Sequence, residues 1–344
     1  MPDMLPYLIA ITIAASLLYF LTPIAHNIGL IDEPDSRKHH QQSTPLTGGI
    51  AIAFAFGMAA LFLPIGLGSY RIFFFSLITV VIIGTFDDHR DISVKIKILF
   101  QFAVATLLVL VDDKVVLVIG DIFFSGHSQG LGILAAPFTI IAIVGVINAF
   151  NMIDGHDGLT GGVTLISFGV FIYLLNLHSC MVDTHALLYL LATVTTVFLV
   201  FNLEFLVGRY RQVFLGDAGS MFLGLVCVYF LINLSREGDE VLNVTSAAWV
   251  IGLPLLDMMS VMLLRLSKGR SPLKADRLHI HHVLLDLGFG KYTVLVMLLS
   301  LHLIFTLIGL FGTLYDWPDG ILFWGMFVVL ALYIAFNIKT RTQS

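Results

Sequence analysis

Eleven apolar stretches, most of them close to the roughly 20 residues that a helix needs to cross a bilayer, follow one another along the chain with short polar breaks. They cover residues 5–25, 47–67, 70–86, 95–112, 132–148, 160–177, 186–203, 213–233, 243–264, 292–312 and 320–337. A water-soluble fold cannot hide that much apolar chain: 58% of the 344 residues are hydrophobic and 12% are charged, far from the balance of a globular domain. The expected fold is an all-α polytopic membrane protein of about eleven transmembrane helices, forming one domain over residues 1–344. No repeat of fixed period divides it.

The basic residues orient the bundle, because loops rich in Lys and Arg stay cytoplasmic. With residues 26–46 inside, 15 of the 18 Lys and Arg fall on one side, and only Arg71, Lys114 and Arg236 on the other. This predicts an external N-terminus and a cytoplasmic C-terminus, as an odd helix count requires. Only Asp3 is charged ahead of the first stretch, so that stretch lacks the basic n-region of a signal peptide and is expected to remain as a helix. Cys180 and Cys227 have neither metal nor disulfide spacing. Val and Ile residues around Gly120 and Asp121 suggest a short external hairpin between Lys114 and Phe124. The net charge of −5 gives no reason to invoke nucleic acid.

Ionisable residues at a bilayer are costly and mark function, and here they gather on the cytoplasmic side. Asp87 and Asp88 lie in FDDHRD, where the third stretch meets the cytoplasm; adjacent carboxylates repel unless a cation sits nearby, which suits a metal site or a general base better than a solvated loop. Lys97 follows ten residues later, in the first turn of the next helix, so an antiparallel pair returns its ammonium to the same surface. Asn148, Asn151, Asp154 and Asp157 are spaced by three. They share neighbouring helix faces until Gly155 and Gly158 turn the chain, and their oxygens are hard ligands of the kind Mg2+ prefers. Asp217, in FLGDAGS, precedes a long apolar helix; it is either an N-cap or, with its glycines, a place where a diphosphate or metal approaches the helix N-terminus.

The last cytoplasmic loop carries Arg265, Lys268, Arg270, Lys274 and Arg277, then His279, His281 and His282. The lysines and Arg270 also fit a plain positive-inside anchor. Arg265 sits at a helix end, where a guanidinium grips a diphosphate in two places. The HIHH pattern lacks the HExxH spacing of a zinc site, so hydrogen bonding to phosphate or sugar is expected of it. Asp257 lies about 12 Å below the cytoplasmic edge of its helix and is expected to pair with a neighbouring helix. The isolated His26, His127, His178, His185 and His302 are expected to be structural.

These motifs, in this order and on one membrane side, resemble those of the polyprenyl-phosphate N-acetylhexosamine-1-phosphate transferases (glycosyltransferase family 4), and within them the WecA-like group. The resemblance covers nearly the whole chain, and Arg37, Lys38, His40, Pro45, Gly48 and Gly49 fit the family's first cytoplasmic loop. It implies transfer of GlcNAc 1-phosphate from UDP-GlcNAc to undecaprenyl phosphate, releasing UMP, at the cytoplasmic face of a bacterial inner membrane and early in O-antigen or related glycan assembly. It further implies Mg2+ (or Mn2+) held by Asp217 and Asn151, and Asp87 and Asp88 near the lipid phosphate, with Asp91 in keeping. Lys97 falls on a phosphate, and Asn148, Asp154 and Asp157 around the nucleotide. Arg265, His279, His281 and His282 fall on the loop over sugar and diphosphate. Family members are often homodimers, though no interface is legible here. Enzymes of the family that take a UDP-muramyl pentapeptide carry three consecutive histidines; Ile280 interrupts that run here and favours UDP-GlcNAc, with another UDP-N-acetylhexosamine as the competitor. A polytopic transporter is the rival class; it predicts midplane charges, inverted repeats and broken helices, and of these the sequence offers only Asp257.

Overall fold

A computed structural model of the chain describes residues 4–33, 43–178, 181–236, 241–272 and 278–341; the expectations for Arg37, Lys38, His40, Cys180, Lys274 and Arg277 lie outside these. Each apolar stretch forms a helix. In chain order these are α1 (Leu5–Ile28), α2 (Gly48–Ala60), α3 (Arg71–Arg90), α4 (Val94–Leu110), α5 (Ala135–Ile153), α6 (Leu159–His178), α7 (Val182–Asn202), the short α8 (Glu204–Val207), α9 (Gly216–Leu234), α10 (Val244–Val250), α11 (Gly252–Ser267), α12 (Ile280–Asp286), α13 (Lys291–Leu314) and α14 (Asp319–Arg341). Among the described residues, α1, α3, α5, α6, α7, α9, α13 and α14 are each long and apolar enough to cross a membrane. The helix α2, at 13 residues, is only about 20 Å long, because the turn that carries Pro64 and Gly66 stops it well short of residue 67. The helix α4 has 17 residues.

The ninth stretch is not one straight helix. The chain breaks between α10 and α11 with an 82° bend, and Pro254 explains where: without an N–H it cannot bond the carbonyl four residues back, which is that of Val250. Inside a bilayer a freed carbonyl needs another partner. The hydroxyls of Ser167 (2.9 Å) and Thr306 (3.4 Å) both donate to it. Ser167 also lies 3.3 Å from Nε2 of His302, itself fully buried in α13. The broken helix that a transporter would use for transport is thus closed by side chains of α6 and α13.

The helix α9 is the core. Nearly every residue from Gly216 to Leu234 is buried, because α3, α5, α2 and α6 all pack on it. Close packing at its start depends on missing side chains. A Cβ on Gly84 would lie 2.4 Å from backbone atoms of Ala218, and one on Gly49 would lie 2.1 Å from the amide nitrogen of Gly219. Backbone bonds from Gly48 to the carbonyl of Phe214 (3.0 Å) and from Gly49 to that of Leu215 (2.9 Å) tie the first turn of α2 to the same place. Two strands of two residues, β1 (Ile31–Asp32) and β2 (Thr44–Pro45), pair antiparallel just before it.

The opposite end of the bundle is closed by the loop between α4 and α5. Its hairpin is one bridge wide, Val118 facing Gly130, so the returning arm lies beyond the expected Phe124. Lys114 reaches Asn233 (2.7 Å) and Arg236 reaches Asp113 (2.5 Å), tying this loop to the far end of α9. Asp319 accepts from the Asp121 amide (2.9 Å) and from Thr245 (2.5 Å). Among the described residues, Asp87, Lys97, Asn151, Asp154 and Asp217 lie at the other end.

Candidate functional site

Three helix ends meet at the start of α9. Adjacent residues on a helix point about 100° apart, so the two carboxylates ending α3 do different things. Asp87 faces α4, where its Oδ2 receives the Lys97 ammonium at 2.5 Å. Asp88 faces α9, where Oδ1 accepts from the amide of Asp217 (2.7 Å) and Oδ2 from that of Ala218 (3.2 Å). Asp88 therefore caps α9 from outside its own chain segment, satisfying two of the donors that a helix start leaves open and placing a negative charge at the positive end of the dipole. This corrects the N-cap reading of Asp217: the residue ahead of the helix is Leu215, and Asp217 lies inside the first turn with its carboxylate free to turn outward. Its Oδ2 lies 2.9 Å from the same Lys97 nitrogen.

The helix α5 brings a second set of oxygens. It ends at Ile153 with Asp154 just beyond it, so Asn148 and Asn151 are helical and the two following carboxylates are not. Asn151 donates to Ser220 (3.0 Å) in the first turn of α9. Asn148 donates to Gln101 (2.7 Å) on α4, one turn beyond Lys97 on the same face. Asp157 accepts from Gln212 (2.8 Å), and Asn202 accepts from the amide of Gly158 (2.6 Å). Gln101, Ser220, Gln212 and Asn202 were not singled out in the sequence; Gln101 could have been, because it stands four residues after Lys97.

The histidine segment closes the ring. A Cβ on Gly155 would lie 2.4 Å from Nε2 of His281, so that imidazole lies against the loop between Asp154 and Asp157. The His279 and His281 rings are near-parallel with centroids 5.8 Å apart, and the His281 and His282 centroids are 4.2 Å apart. Arg265 ends α11 as expected, but it is buried and donates to the carbonyl of Pro272 at 2.6 Å, shaping the turn after α11. Asp257, expected only to pair with a neighbouring helix, receives the histidine segment itself: its carboxylate meets His279 Nδ1 (2.6 Å) and the Ile280 amide (2.9 Å).

The donor set suits a hard divalent cation. Oδ1 of Asp87 is buried and has no hydrogen-bond partner, an expensive state for a carboxylate oxygen unless a positive group meets it. Among the described residues no cluster of three or more His, Cys, Asp or Glu is poised to hold a metal alone. That leaves Asp217 and the amide oxygen of Asn151 as the groups that could hold the ion, with Asp87 beside them and the remaining positions open to phosphate and water, the way Mg2+ is usually held.

Burial pushes the Asp154 carboxyl up to about 7, with the negative charges of Asp217 and Asp157 acting in the same direction. A carboxyl raised in the folded state contributes stability below its unfolded pKa that is lost as pH rises through the folded one. Without divalent cations, the thermal midpoint of the detergent-solubilised protein is therefore expected to fall between about pH 4 and 7 and to level off above that, and Asp154→Asn to flatten the fall. An unchanged slope in the variant would show that another group titrates there.

Comparison with known proteins reaches the same helices. The profile of glycosyl transferase family 4 matches residues 70–235. The undecaprenyl-phosphate alpha-N-acetylglucosaminyl 1-phosphate transferases of Yersinia pestis and Escherichia coli K12 are each 33% identical to the chain, over 92% of its length and 84% of theirs. The enzyme of that name from Haemophilus influenzae is 30% identical over 92% of the chain and 89% of its own length. With this likeness along almost all of its length, and the profile lying over the helices that carry Asp87, Asp88, Lys97, Asn151 and Asp217, the chain belongs to glycosyl transferase family 4.

Proposed function

We propose that the protein transfers N-acetylglucosamine 1-phosphate from UDP-N-acetylglucosamine to undecaprenyl phosphate, giving GlcNAc-diphospho-undecaprenol and UMP, as the first membrane step of O-antigen or a related envelope glycan. The observation that carries the reading is the Lys97 ammonium between Asp87 and Asp217 at the capped start of α9, in a chain whose relatives bear the name of that reaction. Fifteen of 18 basic residues support placing this end in the cytoplasm of a bacterial inner membrane. That orientation follows if all eleven stretches, with α10 and α11 as one bent span, cross the bilayer.

An oxygen of the lipid phosphate attacks the β-phosphorus in a single displacement; the new P–O bond forms as the bond from that phosphorus to the bridging oxygen breaks, and UMP carries away the electron pair. Phosphoryl transfer asks mainly for positioning and neutralised charge. Lys97 supplies charge where lipid phosphate and diphosphate meet. Asp87, whose Oδ1 is uncommitted, faces the lipid phosphate, whereas Asp88 is spent on the helix start. Asp154, Asp157 and Asn148 line the nucleotide side, and Arg265 with the histidines shapes the cover over sugar and diphosphate. Mg2+, or Mn2+ in its place, held by Asp217 and Asn151, would screen the diphosphate and polarise its phosphorus. A homodimer belongs to the same proposal.

The test is transfer of labelled GlcNAc 1-phosphate from UDP-GlcNAc to undecaprenyl phosphate by purified protein, with and without Mg2+. Lipid product that needs Mg2+ is expected. If only another UDP-sugar serves, the donor is wrong; if none serves, the transferase reading is.

A further inference from the structure

The histidine segment follows a loop and yet has a buried anchor. Asp257, in the middle of α11, is completely enclosed. Its Oδ2 meets Nδ1 of His279 at 2.6 Å, and its Oδ1 accepts from the Ile280 amide at 2.9 Å and from the Tyr333 hydroxyl of α14 at 3.0 Å. Two of these donors, an amide and a phenol, have only a proton to offer an anion. The carboxylate is held by α11 and α14 together, and it holds the first residue ahead of α12. The imidazole of His279 is therefore located by two spanning helices rather than by its loop.

A carboxylate on one imidazole nitrogen decides what the other can do. With Nδ1 donating to Asp257, the exchangeable position is Nε2, which makes no hydrogen bond among the described residues. The ring is stacked parallel to His281, which lies on Gly155 between Asp154 and Asp157, so the fixed imidazole borders the nucleotide side of the site.

We infer that Asp257, steadied by Tyr333, is a positioning residue that locks His279 in the form protonated at Nδ1, so that the Nε2 lone pair is offered as an acceptor to a hydroxyl or N–H of the sugar nucleotide. Its effect on rate rests on the transferase reading above; the state of the ring does not. Asparagine at 257 keeps the size and the acceptor for Ile280, but it can turn an N–H toward Nδ1 and select the opposite tautomer.

Two measurements on the full chain in detergent test this. In protein labelled with 15N in its 12 histidines, the His279 signals are those lost in His279→Gln. They are expected to report a proton on Nδ1 in the wild type and a shift toward Nε2 protonation in Asp257→Asn, with Tyr333→Phe between them. In the transfer assay Asp257→Asn is expected to cost at least about tenfold in kcat, yet less than about twofold when His279 is already glutamine, because residues acting through one another are not additive. A wild-type ring protonated at Nε2 overturns the inference. So does an equal loss with and without His279, which would make Asp257 a structural residue only. If the ring responds to Asp257→Asn but wild-type protein makes no lipid product, the positioning stands and the proposed reaction falls.

Discussion

Asp217→Ala is expected to lower kcat for transfer by about 10²- to 10³-fold or more, the scale on which a single preorganised charge-stabilising group acts, while leaving the protein folded. The fold should survive because the start of α9 does not depend on that side chain: Asp88 takes the backbone amides of residues 217 and 218, and alanine is at home in a first turn. The chemistry should not survive. The carboxylate sits 2.9 Å from Lys97, at a helix start that Ser220 ties to Asn151 by accepting from the Asn151 amide (3.0 Å) and donating to the backbone carbonyl of residue 217 (3.3 Å); the variant keeps that tie and loses the charge beside the lysine. Mg2+ should raise the thermal midpoint of the wild type and not that of the variant, and excess Mg2+ should not restore the rate. A variant with near wild-type kcat that still responds to Mg2+ would move the metal to other oxygens.

The sequence made the helices legible because a bilayer demands long apolar runs, and the motif ends legible because charges avoid its interior. It read through Pro254, although that residue marks the freed Val250 carbonyl, because the surrounding run is apolar throughout and a lost hydrogen bond leaves no trace in hydropathy. Asp257 was set apart because its partners lie 22 and 76 residues away, distances that only the fold closes. The same holds for Gly49 and Gly84. They look like ordinary small residues of a membrane helix until α9 is laid on top of them. The division of labour between Asp87 and Asp88 was equally hidden, since two adjacent letters do not say which one faces a neighbour's amides. Asn148 and Asn151 were read for their oxygens, whereas their amide nitrogens turn out to join α5 to α4 and α9.

Lys97→Met should do two separable things. Methionine keeps the length and apolar stem of lysine but removes the ammonium that Asp87 and Asp217 share. The Asp87 side chain is 7% exposed and that of Lys97 19%, so the variant leaves a carboxylate poorly solvated and beside two others. Breaking a fully buried pair costs about 3–5 kcal/mol; partial exposure of the lysine brings the expected loss nearer ~2 kcal/mol. A lower thermal midpoint in metal-free detergent follows. Mg2+ placed between the same oxygens replaces the missing charge, so it should stabilise Lys97→Met by more than it stabilises the wild type. Stability restored in this way should not bring back transfer if, as proposed, the ammonium also meets the lipid phosphate, where the ion cannot stand as well; kcat should then stay at least about 10²-fold down at saturating Mg2+. Lys97→Arg, which keeps the charge but changes its reach and shape, should recover the stability and only part of the rate. If Mg2+ restores transfer to Lys97→Met along with its stability, the lysine merely holds the carboxylates together and has no part in binding phosphate.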